Sequence, residues 1–232
     1  MTSLIHCPRW FCGFDVLIDV FSLIVLLMIG YFSLKNYKLS GNNKNHLWIG
    51  GSFFTLALGF LLKVLTNFTL YYKVLVTKQI GLLTLTYEKF VPSNILVFIG
   101  FNGYKILTLI GLYMLFMLYQ KEKSMPDTII TTYLLFASIY FVQETYLFNI
   151  TCALLLILIT YEHHSNCKKQ KTCSTVNMLT TSFGILALSH VLQVFLMYGT
   201  SLYVIAEAVQ LVGYSLLLYT FIKVLQNAKK AR

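Results

Sequence analysis

Residues 51–67 read GSFFTLALGFLLKVLTN, and the fold prediction begins from this stretch. It is apolar and contains no proline, which predicts an unbroken helix suited to a membrane span. Its small and polar residues recur at every fourth position and therefore share one stripe of the helix. These residues are Gly51, Thr55, Gly59, Lys63 and Asn67. The glycines predict close packing against a neighbouring helix, and Lys63 and Asn67 predict a polar interior farther along the same helix.

Comparable apolar runs recur along the 232-residue chain, which is 57% hydrophobic and 11% charged. Soluble domains are about a quarter charged, so this composition indicates a polytopic protein in a lipid bilayer. We predict an all-α fold in which residues 1–232 form a single bundle of seven transmembrane helices. The expected spans are residues 13–35, 47–72, 94–119, 128–143, 146–162, 176–198 and 202–225. The connection between residues 72 and 92 mixes apolar and basic residues, which predicts a helix or a hairpin on the membrane surface or over the bundle.

The lysines and arginines are unequally divided between the two sides of this predicted bundle. Of the 18 basic residues, twelve fall in one set of connecting segments, four fall in the other set, and two lie within spans. Because basic residues accumulate on the cytoplasmic side, the amino terminus is expected outside and the carboxyl terminus inside. The same rule requires an even number of crossings between Lys123 and Lys168, so residues 128–162 are assigned to two short helices. These loops account for the net charge of +10 without nucleic acid as a partner.

Five of the predicted helices contain a polar or charged pair three or four residues apart, at a similar depth in the outer half. The pairs are Asp15/Asp19, Lys63/Asn67, Asn102/Lys105, His190/Gln193 and Glu207/Gln210. A charged side chain at a helix centre in the bilayer costs about 2.5–3.5 kcal/mol, so these groups are expected to face the interior and to contact one another. We predict a ligand-binding site formed by Asp19, Lys63, Asn67, Asn102, Lys105, His190, Gln193, Glu207 and Gln210. Asn149 adds another polar group to this half.

The charges of this site nearly balance, but the sequence does not assign the pairs. Three carboxylates can offset two lysines and a protonatable histidine: Asp15, Asp19, Glu207, Lys63, Lys105 and His190. The alternative interpretation is that these polar residues only hydrogen-bond the helices to one another, at about 0.6 kcal/mol per bond.

The pattern favours a receptor- or sensor-like protein of the cell membrane with a small polar ligand or ion as its partner. An ion- or proton-coupled transporter is one alternative, and a structural subunit with a membrane or cytoplasmic protein partner is another. No enzyme is expected, because the sequence contains no nucleophile-base set, phosphate loop or standard metal signature. No cofactor is expected either. A retinal protein requires a lysine in the middle of its last helix, but the lysine of the last predicted helix, Lys223, lies at the end of that helix. His190 is the only histidine well inside a predicted span, so a haem bound by two histidines within the bundle is not expected either.

A group of metal-binding residue types falls in one polar connection: Glu162, His163, His164, Cys167 and Cys173. Zinc can be bound by two histidines and two cysteines. The spacing matches no standard zinc signature, and three lysines lie among these residues. A solvated basic loop is therefore the preferred interpretation.

Short stretches resemble a group of small seven-helix membrane proteins found mostly in archaeal genomes. They are Trp10-Phe11-Cys12-Gly13-Phe14-Asp15, Ser189-His190 and the run from Tyr203 to Gly213. The resemblance implies the same seven-helix fold over the whole chain and no particular activity or site residue. The chain is also similar to the seven-helix sensor modules that precede some histidine kinases, although the expected bundle leaves no room for a soluble output domain.

Overall fold

The structure, a computed structural model, describes residues 11, 13–39, 44–71, 73–80, 83–90, 94–119, 129, 133, 145–168 and 174–230. The helices it describes there are α1 (Phe14–Leu39), α2 (Lys44–Tyr71), α3 (Asn94–Tyr119), α4 (Thr145–Lys168), α5 (Ser174–Val194) and α6 (Thr200–Lys230). A 3-10 turn, Phe195–Tyr198, follows α5. Two strands, β1 (Lys73–Ile80) and β2 (Leu83–Phe90), lie between α2 and α3.

Five of the six described helices are long and apolar enough to cross a membrane, namely α1, α2, α3, α4 and α6. This confirms the prediction of a helical, multi-pass membrane protein. Helix α5 is not among the five, and it contains the polar residues Asn177, His190 and Gln193. The predicted span 128–143 lies outside the described residues except for Ile129 and Tyr133, which are helical.

The six described helices form a closed ring, because each packs against the next and α6 packs against α1. Helices α3 and α4 are parallel. The ring centroids of Tyr104 and Phe148 are 5.6 Å apart, and farther along both helices those of Tyr119 and His163 are 5.0 Å apart. Helices α1, α3, α4 and α6 thus begin at the same end of the bundle, where α2 and α5 terminate. We call it the Phe14 end.

Helices α1 and α6 are also parallel. Tyr203 donates to Asp15 near their beginnings, and the rings of Phe32 and Phe221 lie 5.7 Å apart farther along. The ring therefore starts and closes with two helices that run in the same direction.

The interior away from the Phe14 end is mostly apolar, and the outside of the ring is apolar as well. Residues Val25, Leu26, Leu56, Leu115, Ile159 and Leu217 are buried in the interior. Large apolar side chains on the outside are exposed, among them Leu17, Ile24, Leu65, Ile110 and Leu154. Such a surface suits hydrocarbon, because lipid tails cover it without loss of hydrogen bonds.

The close contact between α2 and α3 depends on glycine. A Cβ atom at Gly59 would lie 3.2 Å from Thr108 Oγ1 and 3.4 Å from the carbonyl oxygen of Tyr104. A Cβ atom at Gly111 would lie 2.6 Å from Leu56 Cγ, closer than carbon atoms can approach. The predicted close packing of the glycines of α2 against a neighbouring helix is therefore confirmed at Gly59.

The connection between α2 and α3 contains an antiparallel hairpin. Its register pairs Lys73 with Phe90 at the open end and Ile80 with Leu83 at the turn. Of the two alternatives predicted for this connection, a helix or a hairpin, the hairpin is confirmed. The β-branched residues Val74, Val76 and Thr77 favour an extended strand.

Candidate functional site

Lys63 joins three helices through two buried carboxylates. Its Nζ atom lies 2.7 Å from Asp19 Oδ1 on α1 and 3.7 Å from Glu207 Oε1 on α6. The side chain of Asp19 is 0% exposed, that of Glu207 is 1% exposed and that of Lys63 is 12% exposed. The shorter contact is a charge-assisted hydrogen bond, whereas the longer one is an ion pair without a hydrogen bond.

These three residues lie at a similar depth below the Phe14 end. At 1.5 Å per residue, Asp19 is about 8 Å along α1 from Phe14, Lys63 about 12 Å along α2 from Tyr71, and Glu207 about 10 Å along α6 from Thr200. The sequence predicted this common depth from the positions of the polar pairs.

Asn67 extends the same group by one helical turn. Its Nδ2 atom donates to Asp19 Oδ2 at 3.4 Å, so Asp19 accepts from two residues of α2. Gly59, one turn before Lys63, faces α3 instead of α1. A four-residue step advances a helix by about 400°, so the stripe rotates by about 40° per step and passes from α3 to α1.

Four buried aromatic rings from four helices lie beside this group, on the side away from the Phe14 end. We call them the aromatic floor: Phe60, Tyr104, Phe148 and Tyr214. Tyr104 contacts the rings of Phe60 and Phe148, and Phe60 contacts the ring of Tyr214, each at 5.6 Å between centroids. Their edge-to-face geometry is the favoured one for aromatic pairs.

The aromatic floor also contacts the ammonium group of Lys63. The Nζ atom lies 5.8 Å from the centroid of Phe60 and 5.5 Å from that of Tyr104, within the range of a cation–π interaction. Lys63 is therefore placed between carboxylates and rings, both of which favour positive charge.

Beyond the aromatic floor, several buried hydroxyls donate to carbonyl groups of their own helices. Ser22 donates to Ile18, Ser182 to Met178 and Thr220 to Leu216. Such bonds satisfy the hydroxyl locally and do not connect one helix to the next. Other polar groups do join helices at the far end, where Ser33 donates to the carbonyl oxygen of His46 and His163 contacts Thr180, but the ion pairs among the described residues lie in the half near the Phe14 end.

Asp15 joins α1 to α6 closer to the Phe14 end. It accepts from the backbone N–H groups of Gly13 and Val16 at 2.9 Å and from the hydroxyl of Tyr203 at 3.2 Å. The side chain is buried, and these donors compensate for the loss of water.

A second polar group joins α4, α5 and α6. His190 Nδ1 lies 3.1 Å from Asn149 Oδ1, and Gln193 Nε2 donates to Gln210 Oε1 at 3.4 Å. The His190 ring also contacts the edge of the aromatic floor at Phe148, 6.3 Å between centroids. The polar pairs of α5 and α6 therefore meet, as their positions predicted.

The predicted pair on α3 takes a different direction. Lys105 is buried and its Nζ atom donates to Thr145 Oγ1 at 3.4 Å, at the beginning of α4. Asn102 is half-buried and has no hydrogen bond to another predicted site residue within the part of the chain that the structure describes. Tyr104 is the residue of α3 that reaches Lys63. Neighbouring residues of a helix point about 100° apart, so the side chain of Lys105 points away from Lys63.

Five aromatic residues of the site were absent from the predicted set, namely Tyr203 and the four residues of the aromatic floor. Tyr203 lies one turn before Glu207 on the same face of α6, and this spacing was the available signal. Tyr104 had no signal of its own, because a tyrosine in an apolar run is equally consistent with an ordinary core position.

One carboxylate oxygen and one amide nitrogen of the site lack a hydrogen-bond partner among the described residues. They are Glu207 Oε2 and Gln210 Nε2, in buried side chains one turn apart on α6. Buried polar atoms are almost always paired, so an acceptor and a donor left over on one helix face are unusual.

Within the described residues, no group of three or more histidine, cysteine, aspartate or glutamate side chains is arranged to hold a metal ion. His163, from the predicted metal-binding types, instead contacts Thr180 Oγ1 at 3.0 Å and the ring of Tyr119. The side chains of Cys167 and Cys173 lie outside the described residues.

Lys223, the lysine at the end of the last predicted helix, lies far along α6 from Glu207. Its Nζ atom is 3.7 Å from Met178 Sδ.

No protein-family model, curated protein or solved structure matches this chain. The fold and the site therefore define its class by themselves. It is a multi-pass helical membrane protein with a buried charged group between its helices, close to one end of the bundle.

Proposed function

We propose that the protein is receptor- or sensor-like and binds a small polar ligand or ion around Lys63, in the cell membrane. The observation that carries this proposal is the ion-paired group of Asp19, Lys63 and Glu207, which ends at the aromatic floor. A ligand would compete for the carboxylates that Lys63 contacts when the site is empty. Release or capture of Lys63 would then alter how α1, α2 and α6 pack.

Stability alone is a weak reason for charges in this position. A buried ion pair often contributes no more than apolar residues of similar volume, because removing the charges from water offsets their attraction. Ionisable residues within membrane helices commonly mark ligand or ion sites. Asp19, Lys63 and Glu207 fit that description, since all three lie within helices that can span the membrane.

An ion- or proton-coupled transporter would use the same residues. The proposal of a binding protein is preferred because a transport path must also cross the other half of the bundle. There the interior is occupied by Leu26, Leu56 and Leu115 below the aromatic floor. A structural subunit, the remaining alternative, would leave the charged group without any ligand.

We further propose that the chain crosses the membrane seven times, with the amino terminus outside and the carboxyl terminus inside. Helices α3 and α4 are parallel, which supports one further crossing between the end of α3 at Tyr119 and the beginning of α4 at Thr145. The sequence predicted a short span at residues 128–143 for an independent reason, the basic residues on both flanks. Tyr133, a described residue of this predicted span, lies beside α4, with its OH group 3.1 Å from Thr151 Oγ1. The resemblance to archaeal seven-helix proteins stays a prediction.

The experiment that tests the binding proposal is a ligand screen on the purified full-length protein in detergent. Thermal unfolding is followed with cations, anions, zwitterionic amino acids and neutral polyols, because a ligand that binds the folded state raises the melting temperature. Any stabilising ligand is then titrated into the variants Lys63→Met and Glu207→Gln. Glu162→Gln is the matched control, because Glu162 lies on α4 at the end of the bundle away from the site. We expect both site variants to lose the response and the control to keep it.

Equal responses in the site variants and in the wild type would contradict the proposal. Flux of the same ligand across proteoliposomes separates a transporter from a receptor-like protein. Stoichiometric co-purification of another protein, with no ligand response, would favour a structural subunit.

A further inference from the structure

Of the two carboxylates that Lys63 contacts, Glu207 is the less neutralised. Its Oε1 atom is 3.7 Å from Lys63 Nζ, beyond hydrogen-bond distance, and its Oε2 atom has no partner among the described residues. Asp19, by contrast, accepts from Lys63 at 2.7 Å and from Asn67 at 3.4 Å. Lys63 is thus committed to Asp19, and Glu207 retains an acceptor that faces the site.

The charges around Glu207 also leave it incompletely neutralised. Among the described residues, the charged groups with the largest electrostatic effect on Glu207 are Lys63, Asp19 and Asp15. Among the described residues, Lys63 is the one cation in an ion pair with Asp19 and with Glu207, so one negative charge of this group is left over when both carboxylates are ionised. An uncompensated charge inside a membrane bundle is costly, and bound positive charge would remove that cost.

The surroundings favour a cation over other ligands. The aromatic floor presents ring faces and edges of Phe60 and Tyr104, and ring faces attract positive charge. Gln210 lies one helical turn from Glu207 on α6 and is also buried. An anion would meet two carboxylates at this place, with only Lys63 to attract it.

We propose that Glu207 binds a single positive charge, carried by a protonated amine or a monovalent metal ion, on its Oε2 atom. This inference rests on the proposed function and names the chemical class of the ligand. Bound cation and Lys63 together neutralise Asp19 and Glu207. No divalent metal is invoked.

The test uses the purified full-length protein in detergent at constant ionic strength. Methylammonium chloride and sodium chloride are each titrated against the chloride of N-methylglucamine, whose bulky ammonium does not fit a buried site. The wild type is expected to gain thermal stability with methylammonium or with sodium, and which of the two acts identifies the source of the charge. Glu207→Gln is expected to weaken that binding at least about 30-fold, because it removes the charge from a buried pair. Glu162→Gln should bind as the wild type does.

The outcomes separate this inference from the proposed function. Stabilisation by an anion or a neutral polyol, with none by either cation, would overturn the inference and leave a ligand site in place. No response to any ligand would overturn both. Infrared spectroscopy supplies a second measurement: a carboxylic-acid carbonyl band that persists in the presence of either cation and is missing from Glu207→Gln would show that Glu207 is protonated, and would overturn the inference. Loss of such a band on cation addition, or its absence together with cation binding, would support it.

Discussion

Removal of the ammonium group of Lys63 is the most informative perturbation of this bundle. At an effective dielectric constant of about 20, the attraction of Lys63 is about 6 kcal/mol at the 2.7 Å distance to Asp19 and about 4.5 kcal/mol at the 3.7 Å distance to Glu207. Most of this attraction offsets the cost of removing the charges from water. Measured losses on breaking one buried pair are about 3–5 kcal/mol, and we expect this range for Lys63→Met.

Asp19→Asn should be milder. The asparagine oxygen still accepts from Lys63, and Lys63 keeps Glu207 as its counter-ion, so the expected loss is that of a charge-assisted hydrogen bond, about 2 kcal/mol. The triple variant Lys63→Met, Asp19→Asn and Glu207→Gln should be more stable than Lys63→Met alone, because it leaves no buried charge without a partner.

Thermal unfolding in one detergent measures all of these variants. With a shift of about 2–4 °C per kcal/mol for a chain of this size, Lys63→Met should lower the melting temperature by about 6–20 °C. Lys223→Met is the matched control, since Lys223 contacts only the sulfur of Met178 among the described residues. A Lys63→Met variant within about 2 °C of the wild type would refute the reasoning, and so would a triple variant as unstable as the single one.

Three further predictions concern packing, hydrogen bonding and topology. Gly59→Leu should cost about 1–3 kcal/mol through crowding of α3, whereas Gly184→Leu, where a Cβ meets nothing within 4 Å, should be nearly neutral in thermal unfolding. Tyr203→Phe removes a donor to buried Asp15 and should cost about 1–2 kcal/mol in the same assay, whereas the exposed Tyr219→Phe should cost less than about 0.5 kcal/mol. Epitope tags at the two termini should be accessible from opposite sides of intact cells, the amino-terminal one from outside; tags accessible from the same side would contradict an odd number of crossings.

The helices and their polar pairs were predictable because both depend on local spacing. A long apolar run determines a span, and a pair such as Lys63 and Asn67 determines a helix face, without knowledge of the neighbours. The predicted boundary of the first span, residues 13–35, falls short of the observed end at Leu39 because the last turn of α1 is polar. Composition indicates where an apolar segment ends, whereas the helical backbone of α1 continues past that point into polar residues.

Partner choice was not predictable, because it depends on rotation of each helix about its axis. Lys105 carries the charge that drew attention to α3, yet its neighbour Tyr104 faces Lys63. A lysine can extend along its helix to a partner such as Thr145, and the sequence contains no record of that direction. The division of Lys63 between Asp19 and Glu207 likewise follows from three-helix packing alone.

The shallow position of the charged group has an electrical consequence. Asp19, Lys63 and Glu207 lie about 8–12 Å from the Phe14 end, or about a third of a ~30 Å hydrocarbon core. A monovalent ion that enters from that end would therefore traverse about a third of the membrane field. At about 2.3 kcal/mol per charge for each 100 mV, its binding free energy would change by about 0.8 kcal/mol per 100 mV, or roughly fourfold in affinity. Measured under voltage clamp, the sign of that change would report which compartment the Phe14 end faces.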